Sequence, residues 1–258
     1  MPVIDLNCDM GEGFGVYKLG FDEEIMPYVS SINVACGFHA SDPSNIWNTV
    51  RLAGRLGVAV GAHPSYPDLV GFGRRPMAAD PDQIKADVIY QVGAVLAFCR
   101  AEGVPLQHVK PHGALYNAAE KDLSVALAVA EAIKAVDPGI FMVCLANSAM
   151  VTAAGKTGLP YVEEAFADRA YTAGGSLVPR RQEGAVIHDV DRAASRVVSM
   201  VRDRRVATID GGWLDMKPHT VCVHGDTPGA AAMVKAIGEA LRENGIELSP
   251  FSKWRERL

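Results

Sequence analysis

No stretch of this 258-residue chain is long and apolar enough to cross a bilayer, which takes about 20 consecutive apolar residues, so no membrane partner is expected. Cysteine is scarce. There are five, an odd number with no Cys-x-x-Cys pair, which argues against a disulfide framework and fits a reducing cytoplasm. Cys8, Cys36, Cys144 and Cys222 fall in apolar runs, where a thiol serves as a small buried apolar group. Basic runs are missing too. The formal net charge is −5, and Arg204-Arg205 and the tail Lys253-Trp254-Arg255-Glu256-Arg257 read as solvated surface, so general affinity for nucleic acid is not expected. No basic region followed by a long apolar one precedes Val3-Ile4-Asp5-Leu6, so a cytoplasmic location is expected.

Nucleotide loops are incomplete. Met150-Val151-Thr152-Ala153-Ala154-Gly155-Lys156-Thr157 ends like a phosphate-binding loop but opens on Met where the motif needs Gly. It reads instead as a helix end, with Gly155 and Gly158 as stops. Met10-Gly11-Glu12-Gly13-Phe14-Gly15 lacks the last glycine of a dinucleotide fingerprint, and no clear helix follows it. Its glycines still let backbone N–H groups approach an anion closely.

What is present is a rhythm. Seven apolar runs, at residues 3–9, 32–36, 58–62, 107–111, 140–145, 161–166 and 220–225, read as buried strands. Helical patterns alternate with most of them. Asp42-Pro43 is an N-cap with proline at the first helical position, followed by Ile46, Val50 and Ala53 on one face and Gly57 as the stop. Asp80-Pro81 opens a second helix, striped by Ile84, Val88, Val92, Leu96 and Cys99 and ended by Gly103. Asp122 caps a third, with Leu123, Leu127, Ala130 and Ile133 inward before Asp137-Pro138. Thr227-Pro228 opens the last, with Met233, Ile237 and Leu241 inward and Gly245 at its end.

Strand–helix alternation with short connections implies right-handed crossovers and a parallel sheet. The fold class is α/β. An incomplete TIM-like (β/α)7 barrel is preferred over an open doubly wound sheet, because polar residues follow nearly every strand instead of gathering at one switch point. A single domain over residues 1–258 is expected, with two interruptions. Residues 64–79 form a long loop on the presumed active face. An excursion at about 167–219 holds a loop from Gly174-Gly175 to Arg181, a helix around 190–204 and a hairpin turning at Asp210-Gly211-Gly212.

Four of the seven histidines, His39, His63, His112 and His224, stand at or just past the ends of strand runs. Strand parity adds acids to them. Asp5, Asn7 and Asp9 share one face of the first strand, while apolar Ile4, Leu6 and Cys8 take the other, toward the helices. Buried carboxylates are costly unless paired, metal-bound or functional, and Asp5, the deepest, reads as structural. Lys110 and His112 share a face of the fourth strand, as do Cys222, His224 and Asp226 in the seventh. A lysine inside a barrel needs a carboxylate, and Asp5 or Asp9 is the natural one. His108 and His219, at strand starts, belong to the opposite end, and His188 belongs to the surface. Asp9, His39 and His63 make an open three-ligand set for a divalent zinc or manganese ion. Glu12, in the Gly-rich loop, is a candidate general base or charge partner.

Six segments carry a resemblance: Asp5-Leu6-Asn7-Cys8-Asp9-Met10-Gly11-Glu12, Asn33-Val34-Ala35-Cys36-Gly37-Phe38-His39-Ala40, Gly61-Ala62-His63-Pro64-Ser65-Tyr66-Pro67-Asp68, Val109-Lys110-Pro111-His112-Gly113-Ala114-Leu115-Tyr116-Asn117, Phe166-Ala167-Asp168-Arg169-Ala170-Tyr171 and Val223-His224-Gly225-Asp226-Thr227. In this order they resemble the signature blocks of the LamB/YcsF lactam-utilisation family, described as the A component of bacterial 5-oxoprolinase. Ser41 departs from the pattern, standing where the family's His-Ala-Gly-Asp block has glycine.

The resemblance implies a (β/α)7-type barrel akin to the glycoside hydrolase/deacetylase superfamily. It also implies ATP-dependent hydrolysis of 5-oxo-L-proline to L-glutamate, with ADP and phosphate released. Two further proteins, the B and C subunits of 5-oxoprolinase, are then required, and ATP is a cosubstrate that one of these partners can hold. On this reading one of Asp9, Glu12, His39 or His63 activates water, and His112 or His224 protonates the departing nitrogen. Lys110, Arg169 and Arg180 hold carboxylate or phosphate oxygens, and Asn7, Asp168 and Asp226 join them in binding substrate. Two alternatives are a stand-alone metal-dependent deacetylase or amidohydrolase and a non-catalytic lactam-binding subunit.

Overall fold

Strand β1 (Val3–Met10) has parallel neighbours on both sides, and following them round closes a ring. The structure is a computed structural model that describes residues 1–225 and 229–254. From β1 the ring passes through β2 (Ser31–Ala35), β3 (Ala59–His63), β4 (Leu106–Val109), β5 (Phe141–Leu145) and β6 (Tyr161–Phe166). Two short strands, β7 (Arg205–Ala207) and β8 (Trp213–Asp215), pair antiparallel in the excursion, and β9 (Thr220–Val223) then joins β6 to β1. The barrel therefore has seven parallel strands, as expected. A two-residue strand, β10 (Glu247–Leu248), pairs with Val3 and Ile4 at the start of β1. The seven strand runs read from the sequence match the observed ones to within two residues at each end.

The helices follow in order: one turn α1 (Asp22–Ile25), α2 (Pro43–Leu56), α3 (Pro81–Glu102), α4 (Gly113–Ala119), α5 (Leu123–Val136), α6 (Ala149–Thr157), α7 (Val190–Arg202) and α8 (Ala230–Glu243). Their ends obey the chemistry of caps. Asp42 accepts hydrogen bonds from the amides of Ser44 and Asn45, and Asp80 from that of Gln83. Gly57 and Gly103 turn the chain at φ +69° and +68°, where a Cβ would be strained. α7 and the β7–β8 hairpin lie where the excursion was expected to hold a helix and a hairpin.

Some details differ from the sequence reading. In α3 the buried face runs Ile84, Val88, Gln91, Val92, Val95 and Cys99, so Val95 replaces Leu96, which lies about 100° further round the helix. In α5 the fully buried positions are Ala126, Ala128, Val129, Ala130, Ala132 and Ile133, with Leu123 and Leu127 only half-buried. This helix packs between α3 and α6, where small side chains let backbones approach. Gly155 lies inside α6 and only Gly158 ends it, so the decoy phosphate loop is regular helix. α8 begins at Ala230, and the expected start at Thr227-Pro228 lies outside the described residues. All five cysteines are free thiols and buried. Among the described residues, no helix is long and apolar enough to cross a membrane.

Candidate active site

The apolar face of β1 is fully buried against the helices, which turns Asp5, Asn7 and Asp9 into the barrel. They begin a column of hydrogen bonds that climbs from the floor to the mouth. At the floor, Asp5 accepts from the hydroxyls of Ser30 (2.6 Å), Ser31 (2.8 Å) and Thr220. Above it, Asn7 donates to Thr220 Oγ1 (2.7 Å) and Glu164 Oε1 (3.0 Å) and accepts from Asn33 Nδ2 (2.7 Å). Asn33 also donates to Asp9 Oδ1 (2.8 Å), while its own oxygen accepts from His108 Nε2 (2.7 Å). Gln107 Nε2 in turn donates to His108 Nδ1 (3.1 Å), which identifies a neutral ring.

Lys110 sits in this column with its ammonium 2.9 Å from Glu164 and 3.2 Å from Asp9. Its partners are thus Asp9, as expected, and Glu164, not Asp5, whose oxygens are taken up by hydroxyls. Burial alone would lower the Lys110 pKa, but Asp9 and Glu164 override it and hold the ammonium charged well above its usual range. Asp5 has no cation to offset its burial, and its pKa rises to about 6.

At the mouth, Asp9, Glu12, His63 and His112 each offer a ligand atom, and the four atoms lie within 4.8 Å of one another. His63 Nδ1 donates to the Lys110 carbonyl (2.6 Å), and His112 Nε2 donates to the Phe72 carbonyl (2.9 Å). The remaining nitrogens, His63 Nε2 and His112 Nδ1, face each other at 3.0 Å. Asp9 Oδ2 is 3.3 Å from the first and Glu12 Oε1 is 4.0 Å from the second. Burial would raise Asp9, yet His63 and Lys110 hold its carboxyl well below the usual range. His112 is pushed down to about 3 by burial and by His63.

The grouping differs from the expected Asp9–His39–His63 set. His39 stacks on His112, with ring centres 3.8 Å apart and planes within 3°. Its Nδ1 is held by Ser65 Oγ (3.0 Å), whose own proton goes to the Tyr66 carbonyl (2.9 Å). His39 Nε2 approaches Glu12 at 3.5 Å without a hydrogen bond. Gln91, buried on α3, fixes this arrangement by bonding both the amide and the carbonyl of Ser65 at 2.9 Å. The loop 64–79 then closes over the histidines: Phe72 meets His39 and His112 edge-on, each at 5.4 Å.

A second unit faces the same mouth. His224 Nδ1 lies 2.7 Å from Asp168 Oδ2, and its ring stacks on Phe166, which also carries the Lys110 ammonium 5.3 Å over its face. Burial raises Asp168, but His224, Arg180 and Arg169 outweigh it and hold the carboxyl below its usual value. Arg169 is buried, with one guanidinium nitrogen donating to the Val178 carbonyl (2.7 Å). Arg180 is exposed, and Asp226 lies outside the described residues. In the Gly-rich loop, the amides of Gly11 and Gly15 approach anions supplied by the chain itself, Asp22 and Asp42. His188 is exposed and His219 bonds the Glu163 amide at the start of β6, as their positions implied.

Sequence reading missed Glu164, Asn33, Tyr116 and Phe72. Glu164 was within reach: its strand is inward at every second residue, and it shares parity with Phe166. Tyr116 donates to Glu164 Oε2 (2.8 Å) from a helix, and no strand rule could place it. Phe72 acts through a carbonyl turned by a left-handed backbone, φ +53°, which nothing in its side chain announces.

Fold and site together define a (β/α)7-barrel protein whose histidines and carboxylates converge at the carboxyl ends of the strands. The chain belongs to the LamB/YcsF family, whose model matches residues 4–256. It is 52% identical over 253 residues to the A subunit of a 5-oxoprolinase from Clostridium beijerinckii, covering 98% of this chain and 99% of that one. The corresponding 5-oxoprolinase A subunit from Pyrococcus horikoshii is 51% identical over 251 residues, covering 97% of this chain and 98% of that one. Among solved structures, a lactam utilization protein from Thermus thermophilus superposes with a TM-score of 0.92 at 49% identity, covering 96% of this chain and 99% of that one. Ser41, at φ +76°, stands in the left-handed region that glycine prefers, consistent with the glycine expected there from the family pattern.

Proposed function

We propose that this chain is the A subunit of an ATP-dependent 5-oxoprolinase, hydrolysing 5-oxo-L-proline to L-glutamate together with partner subunits B and C. The observation that carries the reading is its full-length likeness to relatives named as 5-oxoprolinase A subunits, joined to a barrel mouth that holds acid–base groups.

The chemistry sets the requirements. An unstrained lactam is a poor electrophile with a poor leaving group. Transfer of the terminal phosphoryl group of ATP to the lactam oxygen makes the ring carbon attackable by water. The carbon–nitrogen bond then breaks as the nitrogen takes a proton, leaving an acyl phosphate that a second water cleaves to glutamate and phosphate. Asp9 suits activation of water from the mouth, with His63, both of whose nitrogens are engaged, standing 3.3 Å from its Oδ2 to position it. His224 suits protonation of the nitrogen, because Asp168 holds its Nδ1 and leaves Nε2 for substrate. His112 is less suited, since both its nitrogens are engaged within the cluster. Arg169 and Arg180, near Asp168, offer charge to a carboxylate or phosphate. ATP is assigned to a partner subunit because the segment closest to a phosphate loop is helix α6. Five buried free thiols suit a cytoplasmic enzyme.

The test is ATP-dependent release of glutamate from 5-oxo-L-proline by this chain alone and then with candidate B and C subunits. Turnover is expected only in the mixture. In that mixture His224→Asn should lower kcat about 10²–10⁴-fold with little change in KM. A raised KM at unchanged kcat would favour the non-catalytic lactam-binding role. Amide hydrolysis by the chain alone, without ATP, would favour the stand-alone amidohydrolase.

A further inference from the structure

We propose that Asp9, Glu12, His63 and His112 bind one divalent first-row transition-metal ion, with zinc as the first choice. Hydrogen-bond partners reveal which imidazole nitrogens carry protons. A carbonyl only accepts, so His63 Nδ1 at 2.6 Å from the Lys110 carbonyl and His112 Nε2 at 2.9 Å from the Phe72 carbonyl must both be N–H donors. In neutral rings the opposite nitrogens are then bare, and they face each other at 3.0 Å inside a buried cluster. Two lone pairs at that distance repel unless something positive lies between them. A carboxylate oxygen of Asp9 and one of Glu12 lie within 4.8 Å of both nitrogens and of each other.

His39 repeats the pattern one layer back. The Ser65 hydroxyl donates to the Tyr66 carbonyl, so His39 Nδ1 must donate to Ser65. That leaves His39 Nε2 bare, almost wholly buried, without a hydrogen bond and 3.5 Å from Glu12. A single proton on His63 satisfies one of these contacts at a time. A cation satisfies the set.

The donor set suits the metal. Bonds of about 2.0–2.2 Å separate neighbouring donors by about 3.0–3.5 Å, the scale of the His63–His112 and His63–Asp9 separations, while Glu12 Oε1, 4.0 Å from His112 Nδ1, has to draw in by about 0.5 Å to join them. Two imidazoles and two carboxylates match zinc, and also manganese or cobalt. Each metal-facing histidine gives its other N–H to a backbone carbonyl, the outer contact that fixes ring and tautomer in metal sites. One of those carbonyls is held in place by strain: Phe72 takes a left-handed backbone, and Gly73 beside it has no room for a Cβ, which would lie 2.8 Å from both His39 and His112.

The proposal stands apart from the oxoprolinase reading, because binding is measured without ATP or lactam. Untagged chain, stripped with chelator and dialysed, would be titrated calorimetrically with zinc and then with cobalt. The expected result is one ion per chain, a raised Tm, and visible cobalt absorption of the kind that imidazole and carboxylate ligands produce. His63→Ala and His112→Ala should each weaken binding at least tenfold, whereas exposed His188→Ala should not. If either variant fails to fold, the wild-type titration still decides. No saturable binding of zinc, manganese or cobalt, or saturable binding left unchanged in a folded His63→Ala chain, overturns the proposal. A nitrogen-15 spectrum showing a proton shared by His63 and His112 in the presence of zinc overturns it as well.

Discussion

Glu164 lies beneath the mouth with no edge to solvent, and its two oxygens are shared among Lys110, Asn7 and Tyr116. It keeps the Lys110 charge tolerable in a place where an unpaired ammonium would be expelled. Glu164→Gln removes that balancing charge while Asp9 remains, so the expected loss is about 3 kcal/mol, at the low end for a broken buried pair. Urea unfolding measures it. A loss under about 0.5 kcal/mol would mean that Asp9 alone holds Lys110. Individual side chains at this scale were partly legible. Parity placed Asp9, Lys110 and His224 correctly, because alternation along a strand is a property of the backbone itself. It could not reveal that Tyr116 reaches Glu164 from α4, nor that a carbonyl of Phe72 holds His112.

The elements depend on a few close approaches. At the β3–β4 junction, Gly61 pairs with His108, and a Cβ on Gly61 would lie 2.1 Å from His108 Nε2. The glycine is therefore what lets the imidazole enter the barrel and donate to Asn33. Gly61→Ala must displace that ring, so a loss of about 1–3 kcal/mol is expected from overpacking, and more if the Asn33 bond breaks. Thermal unfolding would check it, and an unchanged Tm would show that the ring has another place to go. Helix ends were the most legible feature at this scale. Asp-Pro entries and glycine exits state local requirements, met by the residues that carry them. Helix faces were less so. Val95 rather than Leu96 is buried in α3, and alanines rather than Leu127 in α5, because neighbouring helices decide which flank is covered.

For the whole molecule, buried titratable groups set opposing responses to pH. His108 is pushed down to about 3 by burial and by Lys110, so its contribution is full above about 6.5 and is lost as pH falls toward 3. Asp5 works the other way. Its carboxyl is raised to about 6, so its contribution is full below its ordinary value of 3.8 and is lost as pH rises through 6. A rise from 3.8 to about 6 corresponds to roughly 3 kcal/mol. Asp5→Asn should therefore gain relative to wild type as pH rises from 4 to 7, by roughly that amount. Stability curves of the two proteins by denaturant titration at each pH test this. Parallel curves would mean that the ionised Asp5 is fully compensated by its three hydroxyl partners.

By itself the sequence determined what depends on neighbours along the chain. Seven apolar runs, their caps and the alternation within each strand follow from local periodicity, and those sufficed for the barrel and for which end holds the chemistry. The six motif blocks added the family. The tertiary structure alone decided which groups meet. Closure of the ring brings His112 and Glu12 to Asp9 and His63 and moves His39 into the second layer, against Ser65. It also turns Glu164 inward to Lys110. Partners separated by tens of residues are chosen by strand order, stagger and the strained turn at Phe72, none of which any short stretch of sequence contains.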